Sequence, residues 1–69
     1  MKFKFKKVLV PDDAANGPQI RAHREKHNKG IAELAEAMGV TGEYVRLLEL
    51  GKRRLKESRF AQMKEAIER

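Results

Sequence analysis

The stretch from residue 31 to residue 50 constrains the fold most. Leu34, Ala35 and Met38 recur at helical spacing, Gly39-Val40-Thr41 interrupts them, and Val45 and Leu48 resume the pattern. Two helices joined by so short a connection must cross closely. Close crossing needs a small residue on the first helix, which Ala35 supplies. The turn needs a residue free to take positive φ, which Gly39 supplies. Thr41 is placed to cap the second helix with its hydroxyl. The spacing predicts helices over 31–38 and 42–50, with Val45 plugging the crossing and Val40 and Leu48 filling the inner side.

The rest of the chain must bury this pair with little material. The 69 residues hold 41% apolar side chains, eight of them alanines, and no cysteine, so neither a disulfide nor a thiolate metal site reinforces the core. One small domain is expected. Gly17-Pro18 reads as a helix start with proline in the first helical position. That helix runs over 18–27, with Ile20, His23 or Arg24, and His27 on one face, and Asn28-Lys29-Gly30 ends it. Ser58 reads as the cap of a last helix in which Phe60, Met63 and Ile67 recur. Residues 12–17 read as a linker. Residues 1–10 alternate phenylalanine and lysine before Val8-Leu9-Val10, which reads as a strand that Pro11 stops. The expected fold class is all-α: a compact domain of four to five helices over 17–69, preceded by a strand or arm and linker over 1–16. Val8-Leu9-Val10 is the longest strongly apolar run, far too short to cross a bilayer, and no hydrophobic signal core is visible. The expected location is cytoplasmic.

Charge is uneven along the chain. The net value is +6. Residues 1–10 carry four lysines and no acid, and residues 51–69 carry seven bases against three acids. Residues 31–50 carry four glutamates against Arg46 alone. Basic ends around an acidic middle suit a polyanion met by two patches; the alternative is a charge pattern that serves solubility.

Ile31 to Leu50 has the spacing of a helix-turn-helix, and Glu49-Leu50-Gly51-Lys52 follows it. Together with Ile20-Arg21-Ala22-His23-Arg24-Glu25-Lys26, Leu34-Ala35-Glu36-Ala37-Met38-Gly39-Val40-Thr41, Tyr44-Val45 and Leu48-Glu49-Leu50-Gly51-Lys52-Arg53-Arg54, the chain resembles the phage-repressor-like (Cro/repressor, xenobiotic-response-element) helix-turn-helix family over roughly 18–68. The resemblance implies a prokaryotic or phage regulator whose third helix enters the major groove of double-stranded DNA. It also implies that the loop after that helix holds phosphates, and that Arg24 pairs with Glu49 to fix the helices. Ile31 stands where the family usually has a polar phosphate-gripping residue. Gly42 and Leu47 stand where base-reading side chains often occur, and His23 and Lys29 where buried leucines are usual.

Under that resemblance Gly42, Glu43 and Arg46 are the candidates for base contact. Arg46 suits guanine or a phosphate, and Glu43 suits cytosine N4. The alternative for both is a solvated helix face, with Glu43 favourable near a helix N-terminus. Thr41, Tyr44, Lys52, Arg53 and Arg54 are the phosphate candidates, and Lys56 and Arg59 extend that patch. Arg21 reads as surface. Lys2, Lys4, Lys6 and Lys7 read as the wet face of a strand pairing with its counterpart in a dimer; a DNA-binding arm and a free tail are the alternatives. His23 and His27 have metal-ligand spacing but no third ligand in view, so no metal or cofactor is expected. No nucleophile–base set is visible, so an enzyme is not expected. The first functional reading is a homodimeric, sequence-specific DNA-binding transcriptional regulator, most simply a repressor. The second is an antitoxin or adaptor that binds protein through the same fold, favoured by the acidic middle and by Ile31, Gly42 and Leu47.

Overall fold

The computed structural model describes residues 3–69 and contains four helices: α1 (Asp13–Lys26), α2 (Ile31–Met38), α3 (Gly42–Glu49) and α4 (Glu57–Glu68). The chain is all-helical, with an extended N-terminal segment laid against the helices. α1 packs on α3 and α4, and α2 packs on the same two. Ile20, Leu34, Ala35, Met38, Val45, Leu48, Leu55, Phe60, Met63, Ala66 and Ile67 form one buried cluster, edged by Phe3, Phe5, Ile31, Val40 and Tyr44. Full burial of one such large aliphatic side chain contributes about 1.5–3 kcal/mol, so each core position matters in a domain this small.

α2 and α3 take the bounds that local chemistry sets. Gly39 ends α2 in the left-handed region at φ 71°. Thr41 Oγ1 accepts from the Tyr44 amide at 3.1 Å and so starts α3. Glu33 accepts from the Gly30 amide at 3.2 Å at the head of α2. α3 ends one residue earlier than the spacing predicts, with Leu50 as its C-cap.

α1 departs from expectation. It begins at Asp13, five residues before Pro18, so the predicted linker 12–17 is mostly helix and Pro18 lies inside it. Asp12 is the cap, its carboxylate accepting from the Ala15 amide at 3.2 Å. The reason for Gly17 is tertiary. A β-carbon there would collide with the Leu48 carbonyl oxygen and stand 2.8 Å from that of Glu49. The glycine lets α1 touch the end of α3, and the turn of helix that precedes it carries Asp13 to the loop after α3. There Asp13 accepts from the Leu55 amide at 2.9 Å and pairs with Arg54 at 3.3 Å. The last helix also differs from expectation: Lys56 is its N-cap, without a side-chain bond, and Ser58 lies within the first turn.

The expected N-terminal strand is not a strand of a sheet; its first two residues lie outside the described ones. Residues 3–6 run extended along α1, and two amide side chains take the place of a partner strand. Gln19 accepts from the Lys4 amide at 2.7 Å and donates to the Lys4 carbonyl at 2.6 Å. Asn16 does the same for Lys6, at 2.7 and 2.9 Å. Both amides are buried. They stand one helical turn apart, which matches alternate residues of an extended chain. Phe3 and Phe5 turn the other way and meet the Phe60 ring, with centroids 4.8 and 5.2 Å away.

Candidate nucleic-acid interface

α3 carries Glu43 and Arg46 on its exposed side and sends Val45 and Leu48 inward. Thr41 is exposed at its head; Gly42 and Leu47 are half-buried. Gly42 is half-covered because Ile31 packs beside it, 3.5 Å from where a β-carbon would stand. Glu43 and Arg46 bond each other: Arg46 Nε and Nη2 donate to the two Glu43 oxygens at 3.2 and 3.3 Å. These bonds hold the Glu43 carboxyl below the ordinary glutamate range and raise Arg46 in turn. Both groups are open to water, so the pair is easily exchanged for other partners.

The Arg24–Glu49 pair fixes the base of this helix. Arg24 Nε and Nη2 donate to the two Glu49 oxygens at 2.8 and 3.1 Å, and Nη1 donates to the Lys29 carbonyl at 2.9 Å. The two residues are 8% and 4% exposed, so the fork lies out of water where its strength is greatest. The bonds it donates to Glu49 raise the Arg24 pKa against the opposing effect of burial. One side chain therefore ties α1, the loop before α2 and the end of α3 together.

A cationic surface follows α3. Tyr44 is half-buried, and the Arg53 and Arg59 guanidinium carbons lie 5.5 and 5.7 Å from its ring centroid. A cation over an aromatic face is attracted by the ring's negative potential. Tyr44, Arg54, Lys56, Ser58, Arg59 and Gln62 line a shallow groove beside that stack. Lys52 and Arg53 are exposed. Gly51, at φ 75°, turns the chain so that this basic run leaves α3 at once. Arg54 is the exception in the run, because Asp13 partly neutralises it.

The structure thus brings Thr41, Glu43, Tyr44, Arg46, Lys52 and Arg53 onto or beside one exposed helix, and adds Arg59 to them. Lys4, Lys6 and Lys7 belong to the separate arm, where Lys7 pairs with Glu57 at 3.4 Å. Arg21 is exposed and pairs with Glu25. His23 Nε2 donates to Glu68 at 2.8 Å, and its ring meets those of Phe3 and His27 in tilted contacts, with centroids 4.3 and 4.6 Å away. Sequence reasoning did not reach Asp13 as the clamp on the basic loop, nor Asn16 and Gln19 as the seat of the arm. The signal for the seat is the pair of amide residues at i, i+3 beside an alternating segment.

Among the described residues no helix is long and apolar enough to cross a membrane. Comparison with protein-family models, with curated proteins and with solved structures found no match for this chain.

Proposed function

We propose that this chain is a DNA-binding transcriptional regulator of the phage-repressor-like helix-turn-helix type. α2 and α3 act as the helix pair, and α3 enters the major groove. The observation that carries this reading is the placement of charge around α3. Its outer side is left uncovered by the chain, Arg53 and Arg59 lie over Tyr44 in its first turn, and Lys52 is exposed just beyond its C-terminal end. An eight-residue helix is about 12 Å long, comparable to the width of the major groove. With α3 in the groove, Thr41, Tyr44 and the Arg53 beside it approach one phosphate strand, and Lys52 adds a further phosphate contact. Glu43 and Arg46 separate on binding and turn to base edges, while Gly42 lets the backbone come close.

One short helix binds weakly, so two copies on neighbouring half-sites are proposed. The longest dimension of the chain is 31 Å. Half-sites lie about 34 Å apart, a separation comparable to that dimension. Occupancy of such a site blocks other proteins from it, which makes repression the simplest outcome.

A second reading, a protein-binding module, is favoured by Leu50, which is 45% exposed beside half-buried Leu47 and Ile31. Selection of bound sequences from random duplexes separates the two. Enrichment of a two-fold symmetric motif supports the regulator. Recovery of unenriched sequence, or of none, overturns it.

A further inference from the structure

The segment that joins the arm to α1 is built against its own chemistry. Lys7 and Pro11 form an antiparallel bridge, and the Asp12 amide donates to the Lys6 carbonyl at 2.9 Å. Both pairings are centred on Leu9, so Val8-Leu9-Val10 is the tip of a tight hairpin. Tight hairpins of this length use glycine, asparagine or aspartate and usually need a left-handed residue. This tip has none of those residues, and none of the three takes positive φ. Valine is β-branched and favours strands, and Val10 precedes a proline, which disfavours compact backbone. The tip also leaves its side chains in water: Val8 and Leu9 are 94% exposed and Val10 59%. Residues that prefer a straight, covered strand are bent and bare.

We propose that two copies of the chain exchange their N-terminal arms. Residues 3–6 of each copy fill the seat on the other, made by Asn16, Gln19 and Phe60, and residues 6–12 of the two copies run as one antiparallel ribbon through a two-fold axis at Leu9. The occupant is identified by fit, since the seat holds this same segment within one chain. The register needs no change. Lys7 still faces Pro11 and Lys6 still faces Asp12, now across copies, so every pairing of the closed form is kept. The exchange adds pairing of Val8 with Val10 and mutual cover for the bare aliphatic residues. Charge agrees, because the register sets each basic Lys6 opposite an acidic Asp12. Reach agrees too: six extended residues span about 20 Å, enough to carry an arm to a neighbour. The buried amides of Asn16 and Gln19 require an extended chain in either form, since an emptied seat leaves them without partners. Exchange of an identical element is a low-cost route to a dimer. This inference is independent of the DNA reading.

The test mixes isotope-labelled and unlabelled full chain and records isotope-filtered nuclear Overhauser contacts, beside sedimentation of the same sample. The expected result is a dimer with contacts between the Phe5 ring of one copy and the Phe60 ring of the other. A monomer at near-millimolar concentration overturns the proposal, as does a dimer whose Phe5–Phe60 contacts stay within one chain. The combined change Leu9→Asn and Val10→Gly installs a proper three-residue turn, with glycine at its left-handed third position. It is expected to weaken dimerisation by about tenfold or more while helical content is kept. Unchanged dimerisation in that variant also overturns the proposal.

Discussion

Gly17 of α1 lies against the last turn of α3 so closely that any β-carbon at that position would strike the Leu48 carbonyl oxygen. The obstacle is backbone, which cannot rotate away as a side chain does. Gly17→Ala is therefore expected to destabilise the domain by about 1–3 kcal/mol, although alanine is the better helix former. Gly42→Ala is the matched control. Its β-carbon meets the Ile31 methyl at 3.5 Å, an ordinary contact, and no loss of stability is expected. Chemical denaturation of the two variants checks both outcomes.

Arg24 and Glu49 form a buried fork, and removing one partner strands the other charge away from water. Glu49→Leu is expected to cost about 3–5 kcal/mol, enough to unfold much of a domain this size. Arg24→Met with Glu49→Leu removes both charges and is expected to recover most of that loss. The Lys29 carbonyl, which also accepts from Arg24, loses its bond in the double variant and limits the recovery. A double-mutant cycle by denaturation measures the coupling.

Glu68 at the end of α4 accepts from Lys64 and from His23, and the two bonds, Lys64 first, hold its carboxyl below the ordinary value of 4.5. A carboxyl lowered by folding stabilises the fold fully above its unfolded value. That contribution is lost as pH falls from 4.5 through the folded value. Titration of the Glu68 carboxyl by nuclear magnetic resonance is expected to show a midpoint under 4.5, moving up toward it in Lys64→Met. An unmoved midpoint in the variant contradicts the assignment of cause.

Glu43 occupies Arg46 in the free protein and places a negative charge on the face proposed to meet DNA. Under the DNA reading, Glu43→Gln frees the guanidinium and removes repulsion from phosphates. Affinity for random duplex is expected to rise several-fold while discrimination between sequences falls. Both side chains are exposed, so the melting temperature is expected to stay nearly the same. Fluorescence anisotropy with specific and random duplexes checks the first, and calorimetry the second.

Much of the fold was legible because its signals are local. The stop at Gly39 and the cap at Thr41 act within one turn, and the inward residues of α2, α3 and α4 repeat at helical spacing. The start of α1 carries a local signal in Asp12, which caps it, but Gly17-Pro18 offers a competing one. Gly17-Pro18 has the local signature of a helix start, yet the glycine serves the approach to α3 and the helix begins before it. Leu55 was missed for want of a local signal. It is one aliphatic residue in a basic loop, with no periodicity to mark it, and it is fully buried while its amide donates to Asp13, a contact far away in sequence. The alternating arm was legible as extended chain, but not its partner: two amides on a helix stand where a strand was expected. On the candidate interface, the basic run after Gly51 follows from sequence order alone. The position of Arg59 over Tyr44 depends on where α4 packs, which no local pattern gives.

Phosphate contact by the basic run after α3 is measured by the salt dependence of duplex DNA binding. A chain that neutralises phosphates releases counterions, so the logarithm of the association constant falls linearly with that of salt, by about 0.9 per phosphate contact. Such a fall is expected for the full chain, with a slope reduced by about one contact per copy in Arg53→Ala with the fold intact. Absence of duplex binding at low salt, or binding that ignores both salt and the loss of Arg53, would contradict the DNA reading.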